Sequence, residues 1–225
     1  MDKGLKLDIK NMYGDTSPLW YEITLPKKIV KYLWELVDEG EKVSKEQIEK
    51  QKGSLVGNIS TSFKLEDKNN FFSKEVLNTC IKRWVSDHNR HPTYCHPILK
   101  DNPLKAKLTT FWGNYQYKGE FNPPHHHTGV YSFVIWLKIP YNHKEESLQP
   151  WLDGVKPFDR KVGCFEFNYP SHEGNRNFTY YLNEKYNGKM LFFPSWLQHQ
   201  VHPFFTSDEK RVSLSGNITL KEIKK

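Results

Sequence analysis

Short runs of aromatic and β-branched residues, separated by Gly, Pro and Asn, fill the second half of this chain and constrain its fold most strongly. These residue types favour strands, and the breaks between them favour turns. The predicted strands are residues 107–117, 130–139, 163–168, 178–182, 189–193, 199–204 and 211–219. Seven or eight strands at this spacing predict a double-sheet jelly roll or a barrel.

The first half of the chain has a different, more helical pattern. After a predicted strand at 19–25, Pro26 can begin a helix, and Gly40 can close it after apolar residues at helical spacing. Ser73 is a suitable N-cap for a second amphipathic helix that ends near His88.

A chain of 225 residues suits a single domain. We therefore expect residues 1–225 to form one mainly β domain with flanking helices (α+β). Residues 1–105 would be a helical part that packs on the outer face of a sheet, and residues 106–220 would form the jelly-roll core that carries the functional site.

The composition indicates the cellular compartment of the protein and the classes of partner that it can have. The formal charge is +7, but the excess lies largely in Lys-rich segments, which favours a solvated surface over a nucleic-acid partner. No apolar run approaches the ~18 residues of a membrane span, and the N-terminal residues lack a secretory pattern. Three cysteines without C-x-x-C spacing are typical of a reducing compartment. We expect a cytoplasmic protein without a membrane partner.

A cluster of three histidines, His125, His126 and His127, contains the best candidate metal ligands. In an extended chain, side chains at i and i+2 point to the same side, so His125 and His127 could share one ion. His126 would point the other way. Such a pair needs a further ligand from a distant part of the chain.

His199 is the preferred third ligand. It shares a strand face with Leu197 and Val201, which would line an apolar wall, whereas His202 has the opposite parity and precedes Pro203. We therefore predict that His199 meets the first pair.

The last predicted strand separates polar and apolar residues cleanly. One face carries Arg211, Ser213, Ser215 and Asn217, and the other carries Val212, Leu214, Ile218 and Leu220. This pattern predicts a sheet that helices cover outside and that lines a polar cavity inside. Arg211 would then face an anion, since its planar fork matches a carboxylate; the alternative is a surface Arg on an edge strand.

Together, three motifs resemble those of the Fe(II)- and 2-oxoglutarate-dependent oxygenases. They are an H-x-[DH] pair, a distal His within Phe-Pro-Ser-Trp-Leu-x-His, and a following Arg-x-Ser, in that order over about residues 107–220. The sequence is particularly similar to a group found in bacterial and phage sequences and loosely similar to prolyl 4-hydroxylases. The resemblance implies a double-stranded β-helix (jelly roll) and, for a phage protein, the host cytoplasm.

The resemblance also implies roles for individual residues. His125, His127 and His199 would be the catalytic metal ligands, and Arg211 with Ser213 would hold the distal carboxylate of 2-oxoglutarate.

Two further cosubstrate contacts are implied on the strand that precedes the first ligand. Asn114 and Gln116 occupy the corresponding positions, and Tyr115 and Tyr117 are the alternatives if the register differs by one.

One position departs from the family pattern, because His127 stands where Asp or Glu is common. Glu120 and Glu173 are the nearest replacements, and both look like loop residues. Another metal and a non-catalytic site are the alternatives at this point.

The implied activity is that of a dioxygenase with Fe(II), 2-oxoglutarate and O2. It would hydroxylate a C–H bond of a peptide, prolyl-like substrate or of a small molecule, and would convert 2-oxoglutarate to succinate. A non-redox metal-binding protein of cupin type is the alternative function. A nucleic-acid partner and a homodimer also stay open.

Overall fold

Two antiparallel sheets form the body of the protein. The computed structural model describes residues 6–13, 18–44, 57–88 and 104–222. Its strands are β1 (Asp8–Tyr13), β2 (Pro18–Thr24), β3 (Thr61–Lys64), β4 (Leu104–Gln116), β5 (Asn122–His125), β6 (Tyr131–Lys138), β7 (Cys164–Ser171), β8 (Gly174–Tyr181), β9 (Lys189–Pro194), β10 (Gln198–Val201) and β11 (Arg211–Glu222).

The chain alternates between the two sheets, which defines the topology. The seven-stranded sheet has the order β1-β2-β9-β6-β11-β4-β3, and the four-stranded sheet has the order β5-β10-β7-β8. From β4 to β11, successive strands belong alternately to the larger and the smaller sheet. The exception is the hairpin β7–β8, both of whose strands lie in the smaller sheet. This is the winding of a double-stranded β-helix, so the predicted jelly roll is confirmed and the barrel is wrong.

The longer helices precede the core strands in the chain, and the shortest one lies in a loop between core strands. They are α1 (Lys27–Ser44), a π-helical turn (Ser73–Leu77), α2 (Asn78–His88) and α3 (His143–Glu146). Short 3-10 turns occur at Lys68–Asn70, Pro150–Leu152, Pro157–Asp159 and Glu184–Tyr186.

Gly40 does not close the first helix, contrary to the sequence-based expectation. Helix α1 continues through it to Ser44. A Cβ at Gly40 would lie 2.8 Å from Cδ2 of Phe63, so the glycine allows a close approach of α1 to β3. Packing against the sheet therefore outweighs the low helix propensity of glycine.

Ser73 is not the N-cap of the second helix. Helical winding already begins at Phe71, and the preceding Asp67 takes the capping role. Its carboxylate accepts hydrogen bonds from the Phe72 amide (2.8 Å), the Ser73 amide (2.9 Å) and the Ser73 hydroxyl (2.7 Å). An Asp carboxylate satisfies orphan amides at a helix start as well as a serine does.

Two apolar cores lie on the two faces of the seven-stranded sheet. The outer core joins this sheet to α1 and α2, and the apolar face of β11 packs there through Val212, Leu214, Ile218 and Leu220. The inner core fills the space between the two sheets and is rich in aromatic residues. Helices therefore cover the outer face of the sheet, as the pattern of β11 predicted.

The N-terminal part also contributes strands, because β1, β2 and β3 extend the larger sheet. The predicted strand at 19–25 corresponds to β2 and is confirmed. Strands β1 and β3 were not predicted, and Pro123 and Pro124 concealed the strand pattern of β5. Strand β10 ends at Val201, earlier than predicted, since Pro203 lacks a donor.

Cys80 and Cys164 are buried free thiols, and Cys95 lies outside the described residues. Burial raises the pKa of each of these two thiols to about 12. Across the described segments, no helix has both the length and the apolar character of a membrane span.

Gly216 interrupts the apolar face of β11 because the Phe133 ring occupies the space of a side chain. A Cβ there would lie 2.5 Å from Phe133 Cζ and 2.9 Å from the Thr110 carbonyl oxygen. We expect Gly216→Ala to lower the free energy of unfolding by about 1–3 kcal/mol, the usual cost of overpacking a core. Urea denaturation would measure it. Gly154→Ala is the matched control, since no atom lies within 4 Å of its added Cβ. Equal stability of both variants would contradict this packing.

Candidate functional site

Three histidines from two parts of the chain meet at one end of the four-stranded sheet. His125 ends β5 and lies directly opposite His199 on β10 in the strand pairing. The chain then turns, and the His127 amide donates to the Ser195 carbonyl at 2.9 Å. As a result, one ligand nitrogen from each of the three imidazoles lies within 4.8 Å of the others.

Backbone carbonyls orient two of these imidazoles. His125 Nδ1 lies 2.7 Å from the Pro123 carbonyl oxygen, and His199 Nδ1 lies 3.0 Å from the Leu197 carbonyl oxygen. A carbonyl only accepts, so each Nδ1 carries the proton and each Nε2 presents a lone pair. Metal-binding histidines are typically held in this way by their other nitrogen.

The third imidazole completes the cluster. His127 Nε2 lies 3.2 Å from His199 Nε2. Two nitrogens bound to one ion at about 2 Å each are separated by about 3 Å, so this spacing fits a shared metal. The His127 ring also contacts Trp112, with ring centroids 5.7 Å apart.

Burial keeps the cluster neutral. Desolvation, reinforced by the neighbouring histidines, lowers the pKa of His127 to about 4. The same causes hold the pKa of His199 well below its usual range, and desolvation also lowers the pKa of His125. Near neutral pH the three imidazoles are therefore in the form that binds metals.

The other two histidines of interest do not join this cluster. His126 is exposed, as its opposite parity on the strand predicted. His202 is not part of the three-histidine group, although its Nε2 is buried without a hydrogen-bond partner. Of the two candidates for a third ligand, the fold brings only His199 to the pair.

A cavity of about 410 Å³ opens from the histidines into the space between the sheets. Aromatic residues form much of its wall, namely Trp112, Phe133, Trp136, Phe165 and Phe193. Its polar lining comes mainly from the seven-stranded sheet, through Ser62, Thr110, Asn114, Arg211, Ser213, Ser215 and Asn217. No Asp or Glu is among the described residues that line it.

Arg211 is the one fully buried cation of this lining, with 2% of its surface exposed. Its Nη1 donates to the Tyr141 hydroxyl at 2.9 Å, and its Nη2 donates to Gln116 Oε1. Its Nε is buried without a partner, and no described carboxylate forms an ion pair with it. A buried charge held only by neutral groups is costly, which points to an anionic ligand.

Gln116 supports Arg211 from behind rather than lining the cavity. It is completely buried, and its Nε2 donates to the carbonyls of Glu120 (2.6 Å) and His202 (3.4 Å). Its amide is thus fully used in orienting the guanidinium. The structure does not place Gln116 among the residues that could contact a cosubstrate directly.

Asn114 does line the cavity and lies opposite Ser213 in the pairing of β4 with β11. The alternative register is excluded, since Tyr115 lies on the other face and donates to the Glu41 carboxylate at 2.9 Å. Tyr117 is exposed outside the cavity.

Neither acidic candidate replaces the missing carboxylate. Glu120 accepts hydrogen bonds from the backbone amides of Ser60 (3.0 Å) and Tyr117 (2.9 Å). Glu173 pairs with Arg176 on the surface. Among described residues the cluster that could hold a metal ion is therefore made of imidazoles alone.

Tyr141 is the functional neighbour that the sequence patterns missed. Its hydroxyl accepts from Arg211 and donates to the Gly163 carbonyl at 2.9 Å. It follows the predicted strand 130–139, where a buried Tyr has no distinguishing pattern. Pairing between distant loops decides its role, so no local signal could have found it.

Comparison with solved structures finds distant similarity to two prolyl hydroxylases. A Pseudomonas putida prolyl-4-hydroxylase is 13% identical, with 93% of this chain and 95% of that chain covered and a TM-score of 0.48. A prolyl hydroxylase from Trichoplax adhaerens, solved with a peptide fragment of the hypoxia inducible factor oxygen degradation domain, is 12% identical, with 91% and 84% covered and a TM-score of 0.43. No curated protein matches the sequence.

The family comparison covers the part of the chain that carries the site. Residues 110–217 match the family model described as "Putative 2OG-Fe(II) oxygenase". That segment includes the three histidines and Arg211, and the family implies Fe(II), 2-oxoglutarate and O2. The resemblance to Fe(II)- and 2-oxoglutarate-dependent oxygenases is thus confirmed, and residues 110–217 match that family.

Proposed function

We propose that the protein is a 2-oxoglutarate-dependent dioxygenase that hydroxylates a C–H bond. His125, His127 and His199 hold Fe(II), and Arg211 with Ser213 binds the distal carboxylate of 2-oxoglutarate. The observation that carries the proposal is that Arg211, buried without a described carboxylate partner, lines the same cavity as three convergent imidazoles. A simple metal site has no need of a fixed anion clamp.

The donor set fits the metal and the cosubstrate. Imidazole nitrogens are suitable ligands for Fe(II), and three of them leave coordination positions open. Because all three are neutral, the protein supplies no negative charge to the ion, and the dianionic cosubstrate supplies it instead. Bound Fe(II) and 2-oxoglutarate would supply C–H hydroxylation by O2: one oxygen atom enters the substrate as a hydroxyl group, and the other enters succinate as 2-oxoglutarate loses CO2.

The residues of this chain bind, orient and exclude water. Pro123 and Leu197 carbonyls hold two imidazoles in the metal-binding tautomer. Gln116 and Tyr141 fix the guanidinium of Arg211, so little side-chain entropy is lost when a carboxylate binds. The aromatic walls keep the cavity poor in water, which strengthens these charge interactions.

The proposed substrate is a peptide, with a prolyl residue as the first candidate, or a small molecule. The prolyl assignment rests on the resemblance of the sequence motifs to those of prolyl 4-hydroxylases. Lys64, Thr109 and Thr110 are the exposed residues of the cavity lining and define its rim, so we place the entry of a substrate side chain there.

The first test is the anaerobic addition of Fe(II) and 2-oxoglutarate to the full chain. We expect the weak visible charge-transfer band of the chelate in the wild type and its loss in His199→Ala, because that change removes a central ligand. Exposed His126→Ala is the matched control and should keep the band. Metal binding without a band in the wild type would instead favour a non-redox cupin-type protein.

The second test concerns the anion clamp. We expect Arg211→Ala to weaken 2-oxoglutarate binding by about 2–4 kcal/mol, because it removes the partner of a buried carboxylate. Titration of the chelate band measures this affinity, and metal affinity without cosubstrate should stay unchanged. Lys210→Ala is the control, since Lys210 contacts Tyr115 on the opposite face. An Arg211→Ala variant with wild-type affinity would remove Arg211 from the site.

A further inference from the structure

The inner face of the seven-stranded sheet extends beyond the cavity. Strands β4 and β11 have 13 and 12 residues, whereas β5 and β10 of the opposing sheet have four each. The first residues of β4 and the last residues of β11 therefore extend past β5 and β10. No described strand of the smaller sheet covers them there. This leaves an exposed shelf next to the cavity.

Lysines occupy this shelf. Ala106, Leu108 and Leu220 pack against the outer core, so the residues that alternate with them along β4 and β11 point to the inner face. Those residues include Lys105, Lys107 and Lys221, and all three lysines are exposed.

Lys64 joins these lysines to the cavity. It is exposed on β3, lines the cavity rim and lies opposite Trp112 in the strand pairing. Thr109 and Thr110, also part of the lining, follow Lys107 along β4. We call Lys64, Lys105, Lys107 and Lys221 the lysine strip.

No described residue neutralises the lysine strip. Within the described ranges, none of its four members forms an ion pair. Lys105 and Lys221 lie directly opposite each other in the pairing of β4 with β11. Like charges in such a position destabilise a sheet, so the arrangement favours an external anion that would relieve the repulsion.

We propose that the lysine strip binds an acidic peptide segment next to the residue that enters the cavity. Lys105 and Lys107 are alternate residues of one strand, about 7 Å apart. Alternate side chains of an extended peptide have the same repeat, so carboxylates at every second position match these two lysines. Lys221 adds a further positive charge beside Lys105.

A peptide fits this surface better than a nucleic acid. Proteins that bind single strands place aromatic side chains along the basic groove, where successive bases stack. On the inner face of β4 and β11 beyond the cavity, the described side chains are lysines and threonines. The nearest aromatic, Trp112, lines the cavity beside His127 instead.

This inference deepens the proposed function and rests on it in one respect. The oxygenase site supplies the cavity that the target side chain enters, and the lysine strip selects the acidic sequence beside that residue. Peptide binding to the strip needs neither the metal nor the cosubstrate, so the two proposals can fail separately.

The test is fluorescence anisotropy with labelled peptides and the full chain, without Fe(II) or 2-oxoglutarate. One peptide has Glu at every second position beside a prolyl residue, and its matched partner has Gln there. We expect the Glu peptide to bind more tightly at low ionic strength and to lose this preference in high salt.

Charge-reversed variants locate the binding surface. The strip variant carries Lys105→Glu, Lys107→Glu and Lys221→Glu, and we expect it to bind the Glu peptide about tenfold more weakly. The matched control carries Lys27→Glu, Lys74→Glu and Lys82→Glu at exposed positions on or beside the helices. Both change the net charge from +7 to +1, since each exchange removes two units.

A variant with one substitution keeps the proposal testable if the triple variant does not fold. Lys221→Glu places an opposite charge across from Lys105, so it should unfold at an equal or higher temperature and still bind the Glu peptide more weakly. Equal losses in the strip and control variants would overturn the proposal. Binding of a single-stranded oligonucleotide to the strip without binding of the Glu peptide would overturn it as well.

The chelate band separates the two proposals. Peptide binding to the strip without a band for Fe(II) and 2-oxoglutarate would overturn the oxygenase proposal and support the lysine strip. A band for Fe(II) and 2-oxoglutarate without a preference for the Glu peptide would support the oxygenase proposal and overturn the lysine-strip proposal.

Discussion

The pairing of β5 with β10 is the interaction on which the site depends. Both strands have only four residues, yet their pairing places His199 opposite His125. The turn after β5 then brings His127 to the same point, and backbone carbonyls set two of the ring tautomers. A slip of one residue would turn His199 to the outer face, so the register of this pairing also determines whether the three histidines meet.

Within the described residues, the positive charge of Arg211 has no ion-pair partner. Arg211 is buried between the neutral groups of Gln116 and Tyr141, and the cavity lining contains no described carboxylate. Such an arrangement lowers the free energy of unfolding, because a buried charge without a counterion is costly. That cost is reasonable where an anionic ligand supplies the missing charge, and the same reasoning extends to the lysine strip outside the cavity.

Local patterns predicted the strands and their faces well. The alternation in β11 correctly separated the polar residues of the cavity from Val212 and Leu214 in the outer core. Errors arose where tertiary contacts outweighed a local preference: Gly40 lies within a helix because it packs closely on Phe63, and Asp67 caps the helix expected to begin at Ser73.

The sequence alone determined which side chains share a strand face, because alternation within a strand has a period of two residues and needs no distant partner. It thereby placed Arg211 and Ser213 on one face of β11. The same reasoning predicted that His125 and His127 point to one side, although β5 ends at His125 and His127 follows it. Only the tertiary structure decided that His199 meets the first pair and that Gln116 orients Arg211 instead of lining the cavity. Those outcomes depend on register and packing between strands far apart in the chain, which no local pattern encodes.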